Sequence, residues 1–177
     1  MKFLFTLCIG LLLSISVYSQ TEEYTKAATQ CLNITGMSAH YETIFETCFK
    51  QMQDQYAKLN IPSNTWKEFK TVKPEALARV NQELVTVYSD FFTLEDVQKM
   101  NALYRSSTGQ TMIKNPNALT KKDKKEIDRF YKSETGKKII NSQSAMNQKM
   151  QVVSDFWCGE MYKDVNEKLE AKGYTIR

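Results

Sequence analysis

Two stretches of this chain match each other at an offset of 27 residues, and that duplication limits the fold more than any other feature of the sequence. Residues of about 92–113 align with those of about 119–140. Identities fall at Thr93/Thr120, Asp96/Asp123, Tyr104/Tyr131, Ser106/Ser133, Thr108/Thr135 and Gly109/Gly136. Apolar character is kept at Met100/Ile127, Leu103/Phe130 and the Met112-Ile113/Ile139-Ile140 pair. Each identity has a mechanical reading. Thr93 and Thr120 stand where a helix N-cap belongs, with Asp96 and Asp123 three residues on as the reciprocal acid. Those acids also favour the positive end of a helix. Leu103-Tyr104 and Phe130-Tyr131 then close a helix on its buried side. Ser106 and Ser133 cap a second helix, and the Thr-Gly that follows lets its first turn pack closely. Each copy therefore reads as helix, tight turn, helix. Two copies are fewer than the three that a solenoid needs, so the sequence predicts a duplicated hairpin within one bundle.

The rest of the chain is periodic in the same way. Tyr41, Ile44, Phe45, Cys48, Phe49, Met52, Tyr56 and Leu59 form one apolar stripe at helical spacing. Ser38 is its expected N-cap and Asn60-Ile61-Pro62 its expected end. Before it, Tyr24, Ala27, Ala28, Cys31 and Ile34 make a shorter face that stops at Thr35-Gly36. Thr65 and Glu68 have capping-box spacing, with Trp66, Phe69 and Val72 on one side of a short helix. Pro74 suits the first turn of the next helix, whose stripe is Leu77, Val80, Leu84, Val87 and Phe91. A long helix is predicted from Glu134 to Ala171, with Ile139, Met146, Met150, Val153, Trp157, Met161, Val165 and Leu169 as its stripe and Gly173 as its stop. At about 57 Å it has room for a break near Asn141–Ser144. No segment alternates as a strand over more than four residues, and six Gly with three Pro are too few for a turn-rich sandwich or barrel. The expected fold class is all-α, a bundle of short and long helices containing the duplicated hairpin.

The duplicated pattern resembles a known family. Phe92-Thr93-x-Glu95-Asp96 followed by Leu103-Tyr104-x-Ser106-x-x-Gly109-Gln110 is similar to the pattern of the bacterial domain of unknown function 2059. Phe130-Tyr131-x-Ser133-x-x-Gly136-Lys137 matches the second half of that pattern again. Leu32-x-x-Thr35-Gly36 and the Tyr41–Met52 helix resemble the segment that opens members of the family. Pro often follows the Ser in the family, where this chain has Ser107 and Glu134. The resemblance implies a small exported helical protein and implies no activity.

The first 19 residues read as a secretory leader. Lys2 supplies the positive start, Phe3 to Leu13 the apolar run, and Val17 and Ser19 the small residues before a cleavage site between Ser19 and Gln20. The run is too short to span a bilayer comfortably. Cys8 lies inside it, behind Leu7, which is not the small residue that a lipid-attachment site wants. No later stretch approaches 18 apolar residues, so the mature chain is expected to lack a transmembrane segment. The expected organisation is a signal peptide at 1–19, then a single helical domain over 20–177, periplasmic or secreted. In an oxidising compartment the mature cysteines Cys31, Cys48 and Cys158 leave room for one disulfide. A turn at Thr35-Gly36 places Cys31 beside residues near 40, so Cys48 lies about 12 Å further along its helix. A disulfide tolerates at most about 7 Å between Cα atoms. Cys158 is thus the expected partner of Cys31 or Cys48, the other reading being three buried thiols.

Chemistry-bearing motifs are scarce. There is no phosphate-binding glycine loop, no His-Glu-x-x-His and no Cys-x-x-Cys. The single His, His40, opens a helix, and a serine triad would have to be built on it without a Gly-x-Ser-x-Gly elbow. The repeated Ser-x-Thr-Gly, with Lys132, Lys137 and Lys138 nearby, has an anion-binding reading, but capping accounts for it. No cofactor, metal site or catalytic residue is expected. Residues 114–149 hold ten Lys/Arg against four Asp/Glu, a surplus suited to an anionic envelope component. Nucleic acid is not expected as a partner outside the cytoplasm. The expected function is non-enzymatic binding of an envelope or extracellular protein or an anionic envelope component. The alternative is carriage of a lipid-like molecule in an apolar groove between helices, for which the methionines around Trp157 suit an adaptable lining.

Overall fold

A computed structural model of the chain describes residues 21–175. The expected leader, residues 1–19, and its cleavage site lie outside them. In chain order the elements are α1 (residues 21–34), α2 (Met37–Gln55), α3 (Ser63–Lys70), α4 (Lys73–Ser89), α5 (Leu94–Arg105), α6 (Ser107–Lys114), α7 (Lys121–Tyr131) and α8 (Glu134–Ala171). Two 3-10 turns lie at Ala57–Leu59 and Pro116–Ala118. No strand occurs among the described residues, and α8 runs through 141–144 without a break. Contacts divide the chain into two compact units, one of residues 21–35 with Phe91–Ile140, the other of Gly36–Asp90 with 141–175.

The first unit holds both copies of the hairpin, α5–α6 and α7 with the start of α8, together with α1. Ala27, Ala28, Cys31 and Leu32 on α1 are buried, as are Val97, Met100, Leu103 and Tyr104 on α5. Polar bonds fix α1 along α5: the Asn101 amide donates to the Ala27 carbonyl at 2.8 Å, Gln98 donates to Glu23 at 3.1 Å, and Arg105 donates to Gln30. Among the described residues nothing covers α7 in the same way. Its residues are half-buried or exposed throughout.

The second unit is built on aromatic side chains. Tyr41, Phe45, Phe49, Met52 and Tyr56, spaced three or four apart, bury one face of α2 and of the turn after it. Trp157 of α8 sits against Tyr41, ring centroids 5.7 Å apart, and Phe45, 6.3 Å apart, and its indole N–H donates to the Ala76 carbonyl of α4 at 3.0 Å. Buried indole and phenol groups need such partners. Tyr41 accordingly shares a hydrogen bond with Ser154 at 2.7 Å, and Tyr56 donates to Asn166 at 2.8 Å. Phe49 continues the chain of rings to Trp66, which meets Phe69 edge-on. The remaining α8 stripe, Met150, Met161, Val165 and Leu169, is buried, while Ile139, Met146 and Val153 are half-buried.

Several local boundaries differ from the sequence reading. The N-cap of α2 is Gly36, at φ 80°, not Ser38. The turn at Thr35-Gly36 takes the left-handed backbone that glycine adopts freely, and the Ser38 hydroxyl instead donates to Asn81 at 3.2 Å. The same helix ends at Gln55, short of Asn60, and tightens into the 3-10 turn. Thr65 is not a cap: α3 starts at Ser63, Asn64 accepts from the Thr65 N–H at 3.0 Å, and Glu68 pairs with Lys172 at 3.1 Å. On α4 the buried position is Ala76, with Leu77 half-buried, and Phe91 lies beyond the helix end.

Cys48 of α2 and Cys158 of α8 form a disulfide, Cα atoms 6.4 Å apart, and Cys31 is a buried free thiol in the first unit. The bridge closes a sequence separation of 110 residues. Restricting so long a loop in the unfolded chain stabilises the folded one by roughly 2–4 kcal/mol. Urea denaturation should show that loss on adding dithiothreitol or on combining Cys48→Ser with Cys158→Ser. Reductant should leave the double variant where it is.

Candidate functional site

The duplicated motif is the most highly constructed part of the first unit. Thr93 and Thr120 are both N-caps of full capping boxes. The Asp96 N–H donates to the Thr93 hydroxyl at 3.3 Å, and the Thr93 N–H donates to the Asp96 carboxylate at 3.0 Å. The second copy repeats this, with Asp123 N–H to Thr120 at 3.2 Å and Thr120 N–H to Asp123 at 2.9 Å. At the inner turns, Ser106 donates to the Leu103 carbonyl at 2.7 Å and accepts from the Gly109 N–H at 3.0 Å. Ser133 does the same with the Phe130 carbonyl, 2.6 Å, and the Gly136 N–H, 3.2 Å. The two glycines permit this proximity. A Cβ on Gly109 would stand 2.0 Å from the Leu103 carbonyl oxygen, and one on Gly136 would stand 2.2 Å from that of Phe130. Backbone lies in the way, so no rotamer change relieves the clash.

The copies also hold each other. Thr108 of the first donates to Asp123 of the second at 2.8 Å, and Thr135 of the second donates to Asp96 of the first at 2.7 Å. Each acid thus caps its own helix and accepts the threonine hydroxyl of the other copy. Sequence reading marked Thr108 and Thr135 as identities but gave them no partner. Their burial, at 3% and 1% exposed, with a hydroxyl that must be satisfied, is the physical signal of this role. The tyrosines of the motif are neighbours too. Burial pushes the Tyr104 phenol well up, and the nearby Tyr131 and Cys31 add to the shift.

Asp96 is 6% exposed. Burial opposes its ionisation, but hydrogen bonds from Lys138, Thr135 and Thr93 outweigh it and hold the carboxyl far below its ordinary value of 3.8. Thr108 lies 2.9 Å from Glu126 as well as near Asp123, so its single hydroxyl proton has a choice of two acids. These groups face one another and are satisfied. They do not line a cleft of catalytic pattern. His40 is exposed at the start of α2, and among the described residues no group of three or more His, Cys, Asp or Glu is placed to hold a metal ion.

A surface of another kind lies in the second unit, between α4 and α8. A groove of about 500 Å³ is lined by Val80, Val152, Val153, Phe156 and Trp157, with Glu83 and Glu160 among its polar residues. Phe156 and Val152 are each 67% exposed, so large apolar side chains stand in water at its wall. Gly159 beside them has nothing within 4 Å of a would-be Cβ, which leaves that turn of α8 bare. Arg79, also in the lining, reaches Asp164 at 3.9 Å, whereas Glu83 and Glu160 form no ion pair with a described residue. Sequence reading missed Val152 and Phe156 because they fall outside the buried stripe. Two large apolar residues at i, i+4 on the opposite face were the available signal.

Two outcomes test the motif. Gly109→Ala and Gly136→Ala should each cost about 3 kcal/mol by urea denaturation, at the upper end for overpacked sites. Asp96→Asn should cost roughly 2 kcal/mol at pH 7, the scale of lost charge-assisted hydrogen bonds. A carboxyl whose folded-state pKa is depressed stabilises above its unfolded value and loses that contribution as pH falls toward the folded one. The gap between wild type and Asp96→Asn should therefore be full at pH 7 and shrink below about pH 4.

The model of the family described as an uncharacterized protein conserved in bacteria (DUF2059) matches residues 78–125 and again 117–161. Each match contains one copy of the hairpin. The opening similarity over 32–52 lies outside both. Neither the curated proteins nor the solved structures include a match to this chain. Residues 78–161, which carry both capping boxes and both close glycine turns, thus match this bacterial family, for which no activity is assigned.

Proposed function

We propose that the protein is a non-enzymatic binding domain that works outside the cytoplasm, and that the groove between α4 and α8 receives another protein. The observation that carries this reading is the exposure of Phe156 and Val152, 67% each, beside a groove whose floor is apolar. Leaving two such side chains two-thirds in water forgoes roughly 1–2 kcal/mol for each that a partner would bury. The occupant that fits is a segment presenting an apolar side chain flanked by cations, because Glu83 and Glu160 carry unpaired negative charge around an apolar centre. Carriage of a lipid-like molecule calls for an enclosed apolar cavity. This groove is open to solvent and favours a partner's side chain over a small guest.

Replacement of Val152 by a photo-crosslinking phenylalanine should yield one discrete protein adduct in the cells that make this chain. Phe156→Asp in the same background should abolish the adduct while leaving helix content and melting temperature unchanged, since the side chain is already in water. A lipid mass retained on the purified protein in native mass spectrometry, with no protein adduct, would refute the reading in favour of carriage.

A further inference from the structure

We propose that the outer face of α7 is a binding surface for a linear acidic glycan. The internal duplication supplies its own comparison. The residues of α7 that follow Thr120 are Lys121, Lys122, Asp123, Lys124 and Lys125, where the first copy has Leu94, Glu95, Asp96, Val97 and Gln98. Both segments form the same capping box and open the same kind of helix. The unit therefore folds without the lysines. Local electrostatics disfavour them, because cations in a first turn oppose the helix dipole and like charges three and four apart repel. The fold does not require these lysines and helix physics mildly opposes them, so a bound polyanion would relieve their repulsion.

The structure leaves these charges uncommitted. Lys114, Lys121, Lys122, Lys124 and Lys125 are all exposed, and none forms an ion pair with a described residue, whereas Lys132, Lys137 and Lys138 are paired with Asp128, Glu134 and Asp96. Lys122 stands near enough to Asp123 to help lower its carboxyl, after the bonds from Thr120 and Thr108. The helix end itself is not the site, since the Thr120 and Asp123 N–H groups are already taken by the capping box. The corresponding face of α5 is where α1 lies, fixed through Asn101, Gln98 and Arg105. On α7 the corresponding positions are Lys125, Asp128 and Lys132, all exposed among the described residues, and Lys132 is paired with Asp128 while Lys125 joins the lysine array.

The chemistry narrows the partner. Lysine offers a mobile point charge, whereas bidentate recognition of single phosphates prefers arginine. Among the described residues the large exposed apolar side chains are Ile140, Val152 and Phe156, and none lies between 114 and 132. A membrane-surface site would combine its cations with apolar side chains for insertion. A flat lysine array without such anchors suits a hydrated polymer whose charges repeat along its length.

The test uses the purified protein, with polygalacturonate and dextran sulfate as carboxylated and sulfated probes and phosphatidylglycerol vesicles as the lipid surface. The expected result is binding to at least one polymer that weakens steeply with salt. Combined Lys121→Gln, Lys122→Gln, Lys124→Gln and Lys125→Gln should weaken it at least tenfold and flatten the salt dependence, while melting stays equal or rises. The four corresponding Lys→Arg changes should preserve binding, and Lys58→Gln, Lys67→Gln and Lys168→Gln together should leave it unchanged. Absence of binding to both polymers, equal binding by the glutamine variant, or tighter binding to the vesicles than to either polymer would overturn the proposal.

Discussion

The first unit depends on two carboxylates that each serve two helices. Asp96 and Asp123 complete a capping box at the start of one helix and accept a threonine hydroxyl from the other copy of the hairpin. A carboxylate is costly to bury unless its lone pairs are all used. Here the covalent spacing of the repeat provides the partners, so the cost of burying Asp96 is offset by bonds that also fix where the second copy lies. The glycines follow from the same requirement. Thr108 and Thr135 reach across only if the second helix of each copy starts hard against the end of the first, and that approach leaves no space for a Cβ at Gly109 or Gly136.

The copies are alike in backbone design and unlike in surroundings. Asp96 lies in the interior, joined by Lys138, and α5 is covered by α1. Asp123 is half-buried, shares its threonine with Glu126, and belongs to a helix without a buried residue. The first copy thus lies in the core of the unit and the second at its surface. The second unit is held by different means, a run of aromatic rings around Trp157 and a covalent bridge.

Much of this was legible in the sequence, and the exceptions have physical reasons. Capping boxes and close glycine turns are local, so Thr93, Thr120, Ser106, Ser133 and both glycines carry their roles within a few residues of themselves. The apolar stripes of α2 and α8 were equally plain, because a helix that buries one face must repeat at 3.6 residues. Ser38 and Thr65 were misread because a hydroxyl followed by an apolar run is necessary for a cap but not sufficient. Backbone angles at Gly36 and Pro62 decided where those helices began. The crossing bonds of Thr108 and Thr135 could not be read, since an identity between copies says that an environment recurs and not which atom completes it. The groove was hidden for a related reason: Val152 and Phe156 stood off the stripe, and only the packing of α4 beside α8 gives them a surface to share.

The bridge between Cys48 and Cys158 has a consequence for the order of events in a newly made chain. The unit that contains it is assembled from segments on either side of Phe91–Ile140, and its second thiol lies 110 residues beyond the first. A chain emerging from its N-terminus has Cys31 and Cys48 on hand long before Cys158, and these two are the pair that oxidation could join by mistake. The hairpin unit is complete at Ile140, ahead of Cys158, and Cys31 is sealed inside it. Burial of Cys31 in the folded hairpin unit withdraws the competing sulfur from solution and leaves Cys158 to Cys48.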